Sequence, residues 1–158
     1  MQLLPGKGQK LAFKTRLKQF CEQAVERRIV IARNAMDSAQ DAANGEEKSS
    51  AGDKYETSRA MNHLQKDMHA RQLAAHLQEL SAIQSVPTNI LYDKVTTGAV
   101  IESTGMLFFI AAGLGKQDID GTDVFFISPQ SPLAKAWADK RKGDVIVFKN
   151  EMAIIEVY

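Results

Sequence analysis

Ala43-Asn44-Gly45-Glu46-Glu47-Lys48-Ser49-Ser50-Ala51-Gly52 decides how the first half of this chain folds. It holds Gly45 and Gly52, the two glycines between residues 9 and 97, and lies near the middle of a proline-free interval from residue 6 to residue 86. Both sides of it are rich in Ala, Gln, Glu, Leu, Lys and Arg, the residues that lose least on entering a helix. Two long helices joined by a turn around 43–52 are therefore predicted. In the first arm Phe13, Leu17, Phe20, Ala24, Ile31 and Ala35 recur at three- and four-residue steps or a whole heptad. In the second, Met61, Leu64 and Met68 do the same, followed by Leu73, Leu77, Leu80 and Ile83. A seam this narrow, interrupted by Arg27 and Arg28, predicts an antiparallel coiled-coil hairpin over 1–86, with its tip near 43–56. Arms of roughly 30 residues would reach about 45 Å.

After Pro87 the pattern changes. Residues 95–101, 106–110, 124–127, 145–148 and 153–157 are β-branched and aromatic runs separated by Gly and Asp turns. Ser131-Pro132 ahead of Leu133-Ala134-Lys135-Ala136-Trp137 reads as an N-cap and first-turn proline opening a short helix. The order β-β-β-α-β-β predicts a small α+β domain over 87–158, an antiparallel sheet with one helix. Phe108-Phe109 and Phe125-Phe126 read as sheet positions with one residue of each pair inward. Trp137 is expected to pack on the sheet.

Composition narrows the functional classes. Twenty Lys and Arg against nineteen Asp and Glu give +1 over 158 residues, so the chain is not a globally basic nucleic-acid binder. A charged fraction of 25% beside 44% hydrophobic residues is ordinary globular composition. No apolar stretch approaches the ~20 residues of a membrane span. Met1-Gln2-Leu3-Leu4-Pro5 lacks the features of a secretory signal, so a cytoplasmic protein without membrane contact is expected. The single Cys21 excludes an intramolecular disulfide and reads as a small core residue. The even total hides a partition. Residues 1–33 carry eight Lys or Arg and two Glu, whereas 34–58 carry six acids and two Lys. A basic base suits a polyanion or an acidic partner, and an acidic tip suits a cation or metal centre, unless the turn is simply solvated.

The sharpest chemical feature is Gly52-Asp53-Lys54-Tyr55-Glu56. Two carboxylates three residues apart on a helix project from one face. They can share Mg²⁺, or one can bind it while the other orients or deprotonates a water. The competing reading is a capping box, Asp53 as N-cap and Glu56 at N3, and a cap would also fix the geometry a ligand needs. His63, His69 and His76 read as surface positions, since a heptad separates the last two. Gly113-Leu114-Gly115 lacks the third glycine and following helix of a nucleotide-binding loop.

Two segments together resemble the Gre-type transcript cleavage factors of bacterial RNA polymerase. Gly52-Asp53-Lys54-Tyr55-Glu56 is similar to that family's Gly-Asp-x-x-Glu tip. Ser131-Pro132-Leu133-Ala134-Lys135-Ala136, continuing to Lys142-Gly143-Asp144-Val145, is similar to its Ser-Pro-Leu-x-x-Ala followed by Gly-Asp and a strand. The resemblance implies an FKBP-like C-terminal domain that docks on RNA polymerase, and a coiled coil that enters the secondary channel. Asp53 would then be a ligand of Mg²⁺ held jointly with the polymerase, and Glu56 would position or activate water. The polymerase's own site would cut the backtracked RNA 3′ end, so the chain is not expected to be an enzyme by itself. A monomer is expected. Thr57-Ser58-Arg59-Ala60 departs from the family's usual Asn-Ala-Glu-Tyr, with Arg59 in place of an acid. That departure keeps a second expectation open, a channel-occupying regulator that does not stimulate cleavage. A third, from another class, is an FKBP-type prolyl isomerase.

Overall fold

The computed structural model describes residues 6–48 and 52–158, with side chains for all of these except 46–48 and 52–55. The element order is α1 (Lys7–Lys48), α2 (Gly52–Gln84), β1 (Val100–Ser103), β2 (Met106–Ile110), β3 (Gly115–Ile119), β4 (Thr122–Ile127), α3 (Pro132–Trp137), β5 (Val145–Phe148) and β6 (Asn150–Val157). The fold class is α+β, as the sequence predicts. Two compact units divide the chain: one holds α1 up to Glu22 and everything from Ala82 to Tyr158, the other Gln23–Ser81. No described helix is long and apolar enough to cross a membrane.

In the unit Gln23–Ser81 the two helices run antiparallel. Arg28 pairs with Glu79 at 3.4 Å, and the Lys66 ammonium donates to the Gln40 side-chain oxygen, so positions climb one helix as they descend the other. Both helices form as predicted, and α1 continues through Gly45 to Lys48. The predicted seam holds at Leu17, Leu73, Leu80 and Ile83 and is off by one position around the helix at Ala24 and Ile31. The buried stripe of α1 is Val25, Ile29, Ala32, Ala39 and Ala43, whereas Ile31 is 68% exposed. On α2 the half-buried positions include Asn62, Lys66, His69, Leu73, His76 and Leu80. Met61, Leu64, Met68 and Leu77 stand in solvent. Small and polar residues share the heptad face with Val25, Ile29, Leu73 and Leu80, so side-chain size partly misdirects a reading based on the large apolar residues.

The other unit is built on a six-stranded sheet of order β3-β4-β2-β1-β6-β5. Five strands were legible; β3, Gly-Lys-Gln-Asp-Ile, was not. It is an edge strand held by pairing to β4 through the Asp120-Gly121 turn, whose positive φ angles match the right-handed twist of a tight hairpin. The sheet is mostly antiparallel, with one correction: β2 and β4 run parallel, because the chain passes to the edge as β3 and returns between β3 and β2. Both faces are covered, which buries Phe108 and Phe109 alike rather than one of the pair. On one face Phe108 meets Trp137 of α3 edge-on at 4.9 Å, within a core of Val95, Ile101, Ile110, Ile146, Met152 and Ile154. On the other, Phe109 packs on Phe126, which meets Phe20 of α1 at 5.2 Å. Cys21 and Leu17, on the same stretch of α1, are fully buried. α3 begins as predicted: the Ser131 hydroxyl accepts from the Ala134 amide at 3.2 Å, and Pro132 fills the first turn.

Among the described glycines, Gly98 is the one where an added Cβ would meet a neighbour closer than 3 Å. At φ +91° it turns the chain into β1, and a Cβ there would lie 2.7 Å from Val86 Cγ1. The predicted strand over 95–101 therefore starts only at Val100.

Candidate functional site

The tip motif occupies the first turns of α2. The helix runs from Gly52, so position 53 falls inside it rather than ahead of it, and positions 53 and 56 lie one turn apart on a helix face. The Asp53 side chain, like those of Glu46 and Glu47, lies outside the described residues. Glu56 is exposed. Both acids belong to the helix's N-terminal end, where the backbone dipole favours negative charge. Asp37 and Asp41 of α1 are also exposed. Among the described residues no group of three His, Cys, Asp or Glu could hold a metal ion. The donor chemistry at positions 53 and 56, two carboxylates, suits a hard ion such as Mg²⁺, which prefers one or two protein carboxylates and fills its remaining positions from elsewhere.

Three lysines at the start of α1 are tied into the fold, whereas Lys7, Arg16, Arg27 and Arg33 of the same basic stretch are exposed. Lys14 is fully buried. Its ammonium donates to the Ile90 carbonyl at 2.8 Å and lies 4.3 Å above the Tyr92 ring. Burial pulls its pKa down to about 8. One turn on, Lys18 donates to the carbonyls of Gln84 and Val86 at 2.9 and 2.8 Å, capping the C-terminus of α2. Lys10 pairs with Glu156 at 3.7 Å and sits 5.0 Å over the Tyr158 ring. Burial, with Glu102 and Glu156 nearby, pushes the Tyr158 phenol up to about 12. Sequence reasoning missed this cluster. The signal was present as a lysine ladder, Lys7, Lys10, Lys14 and Lys18, at helical spacing opposite a tyrosine-bearing connection.

Beside Lys10 runs a groove of about 610 Å³ lined by Phe13, Arg16, Leu107, Thr122 and Tyr158. Near α3 a cavity of about 190 Å³, lined by Val95, Ile110, Pro129 and Ala134, is smaller than the roughly 300 Å³ at which ligand pockets begin. Trp137 forms core there, as expected. The histidines do not converge: His63 is exposed, and His69 and His76 are half-buried along α2.

Comparison with known proteins adds little. No family profile matches the chain, and no curated protein matches it. Among solved structures, the transcription factor Gfh1 matches at 16% identity over 87% of this chain and 93% of that one, with a TM-score of 0.37. A match at that identity and score carries no argument about function.

Proposed function

We propose that this chain is an accessory factor of RNA polymerase that inserts its helical hairpin into the secondary channel and stimulates cleavage of backtracked RNA. The observation that carries the reading is the position of Gly52-Asp53-Lys54-Tyr55-Glu56 at the start of the second helix of an α-hairpin. The same chain carries Ser131-Pro132-Leu133 at the head of α3. On this reading Asp53 is a ligand of a Mg²⁺ ion shared with the polymerase, and Glu56 holds or deprotonates the attacking water. Magnesium bound there would supply two-metal phosphodiester chemistry, activating the nucleophile and stabilising the leaving oxygen. The residues' own contribution is geometric and electrostatic. One helical turn separates the two carboxylates, so one can bind while the other reaches the water. The polymerase provides the rest of the site.

A second reading has its own observation: Arg59 and Ala60, where the resembled family has an acid and an aromatic, are both exposed just beyond the motif. It makes the chain a regulator that occupies the channel without inducing cleavage. Transcript shortening in a backtracked elongation complex of the cognate polymerase separates the two. The first reading expects Mg²⁺-dependent shortening with wild type, lost in Asp53→Asn and Glu56→Gln while binding to polymerase persists. Binding without wild-type cleavage selects the regulator. Absence of binding rejects both and leaves the two acids as helix-terminal charges.

A further inference from the structure

The groove beside Lys10 adjoins a second one. The first, of about 610 Å³, is mostly apolar, with Phe13, Leu107 and Tyr158 along it. The second, of about 440 Å³, is bordered by Glu102, Asp123 and Glu156. Lys10, Leu107, Thr122 and Tyr158 border both, so an apolar end and an acidic end form one concavity. Each volume falls in the roughly 300–1,000 Å³ range of small-molecule sites. All of these residues belong to one compact unit.

The charges along this concavity do not all cancel. Arg16 pairs with Asp120 at 3.3 Å and Asp123 with Lys116 at 3.2 Å. Glu156 pairs with Lys10 at 3.7 Å and with Lys142 at 3.2 Å. Glu102 is half-buried, and among the described residues its carboxylate has neither an ion pair nor a hydrogen bond. It stands directly opposite Glu156 in the β1–β6 ladder. Like charges opposite one another across antiparallel strands cost stability, so the sheet itself does not call for a carboxylate at 102. Tyr158 is 7% exposed, and its hydroxyl has no hydrogen-bond partner among the described residues. Burial, with Glu102 and Glu156 nearby, pushes this phenol up to about 12, so it stays protonated. Buried polar groups without partners are costly unless a ligand supplies them.

We propose that this concavity binds a small organic amine, its ammonium held by Glu102 and the Tyr158 hydroxyl and its apolar body lying along Phe13 and Leu107. An ammonium provides a charge for the carboxylate and a donor for the phenol oxygen. An anion fits poorly, because Lys10 and Arg16 are already paired. A bare metal ion fits poorly too, since no described group of three His, Cys, Asp or Glu could hold one. Glu56 belongs to the other compact unit, so the amine site stands whether or not the tip serves RNA cleavage.

Titration of the full chain with three indoles of similar shape, followed by amide NMR shifts, tests this. Tryptamine carries an ammonium, tryptophol a hydroxyl and indoleacetate a carboxylate. Wild type is expected to bind tryptamine about tenfold more tightly than tryptophol, and indoleacetate most weakly. The largest shifts are expected at Glu102, Leu107 and Thr122. Glu102→Gln keeps the shape and removes the charge, and is expected to bind tryptamine and tryptophol equally. Tyr158→Phe is expected to weaken tryptamine about threefold. Ala12→Trp, at an exposed helix position bordering the apolar end, is expected to block all three. Thermal melting without ligand identifies any variant that fails to fold. If Glu102→Gln is one, the wild-type preference among the three head groups and the Ala12→Trp result decide. Wild type without saturable tryptamine binding up to millimolar concentration overturns the proposal. Equal affinity for tryptamine and tryptophol, a preference that survives in folded Glu102→Gln, or binding indifferent to Ala12→Trp overturns it as well.

Discussion

Lys14 is held where a lysine is costly, and the cost has a pH signature. Its folded pKa of about 8 lies below the ordinary 10.5, so between those values the unfolded chain binds more protons than the folded one. Stability therefore rises as pH increases from 8 towards 10.5 and is lost again on the way back down, by at most about 3 kcal/mol. Tyr158 acts in the opposite sense: its phenol, pushed up from 10 to about 12, adds stability that is present below pH 10 and lost as pH rises through 12. Denaturant titrations at successive pH values are expected to show a maximum near pH 10. Lys14→Met should remove the rising limb and Tyr158→Phe the falling one; limbs unchanged in the variants would contradict the assignment. Gly98 gives a second prediction. Gly98→Ala adds a Cβ at positive φ, 2.7 Å from Val86 Cγ1, and is expected to cost about 2–4 kcal/mol by urea unfolding. Val86→Ala in the same chain should recover part of that loss.

Among the elements, α3 was fully legible, because Ser131 and Pro132 announce it chemically. Ser131→Ala is expected to cost about 1 kcal/mol by removing the acceptor for the Ala134 amide. Trp137→Ala, which empties the space against Phe108, should cost about 3–5 kcal/mol. The long helices were legible from absent proline, but their contact faces only in part, at Leu17, Leu73, Leu80 and Ile83. Ala32, Ala39 and Ala43 carry little hydrophobic signal, whereas Ile31, Met61 and Leu64 carry much and stay exposed. Replacing Met61 or Leu64 with Gln is accordingly expected to change stability by less than about 0.5 kcal/mol. Had they formed the seam, the same changes would cost several times more. β3 escaped because Lys116, Gln117 and Asp118 lack strand propensity; pairing with β4 and the Asp120-Gly121 turn supply what propensity does not.

For the whole molecule, the overall charge of +1 conceals a division of labour. Lys10, Lys14 and Lys18 at the start of α1 are engaged internally by Glu156, Ile90, Gln84 and Val86, whereas Glu56, Asp37 and Asp41 face solvent. The break between the two long helices was legible from Gly45, Gly52 and the absence of proline, and α2 opens at Gly52. What the two acids bind was not, because a carboxylate pair at a helix start looks the same whether it caps, ligates or merely solvates. The measurement that addresses this most directly is the Mg²⁺ dependence of RNA cleavage in a backtracked elongation complex, with wild type, Asp53→Asn and Glu56→Gln. If Asp53 ligates the ion and Glu56 serves the water, Asp53→Asn raises the Mg²⁺ concentration for half-maximal cleavage by about tenfold or more, whereas Glu56→Gln lowers the maximal rate at saturating metal. Identical Mg²⁺ curves for all three proteins would contradict a metal-binding role for the tip.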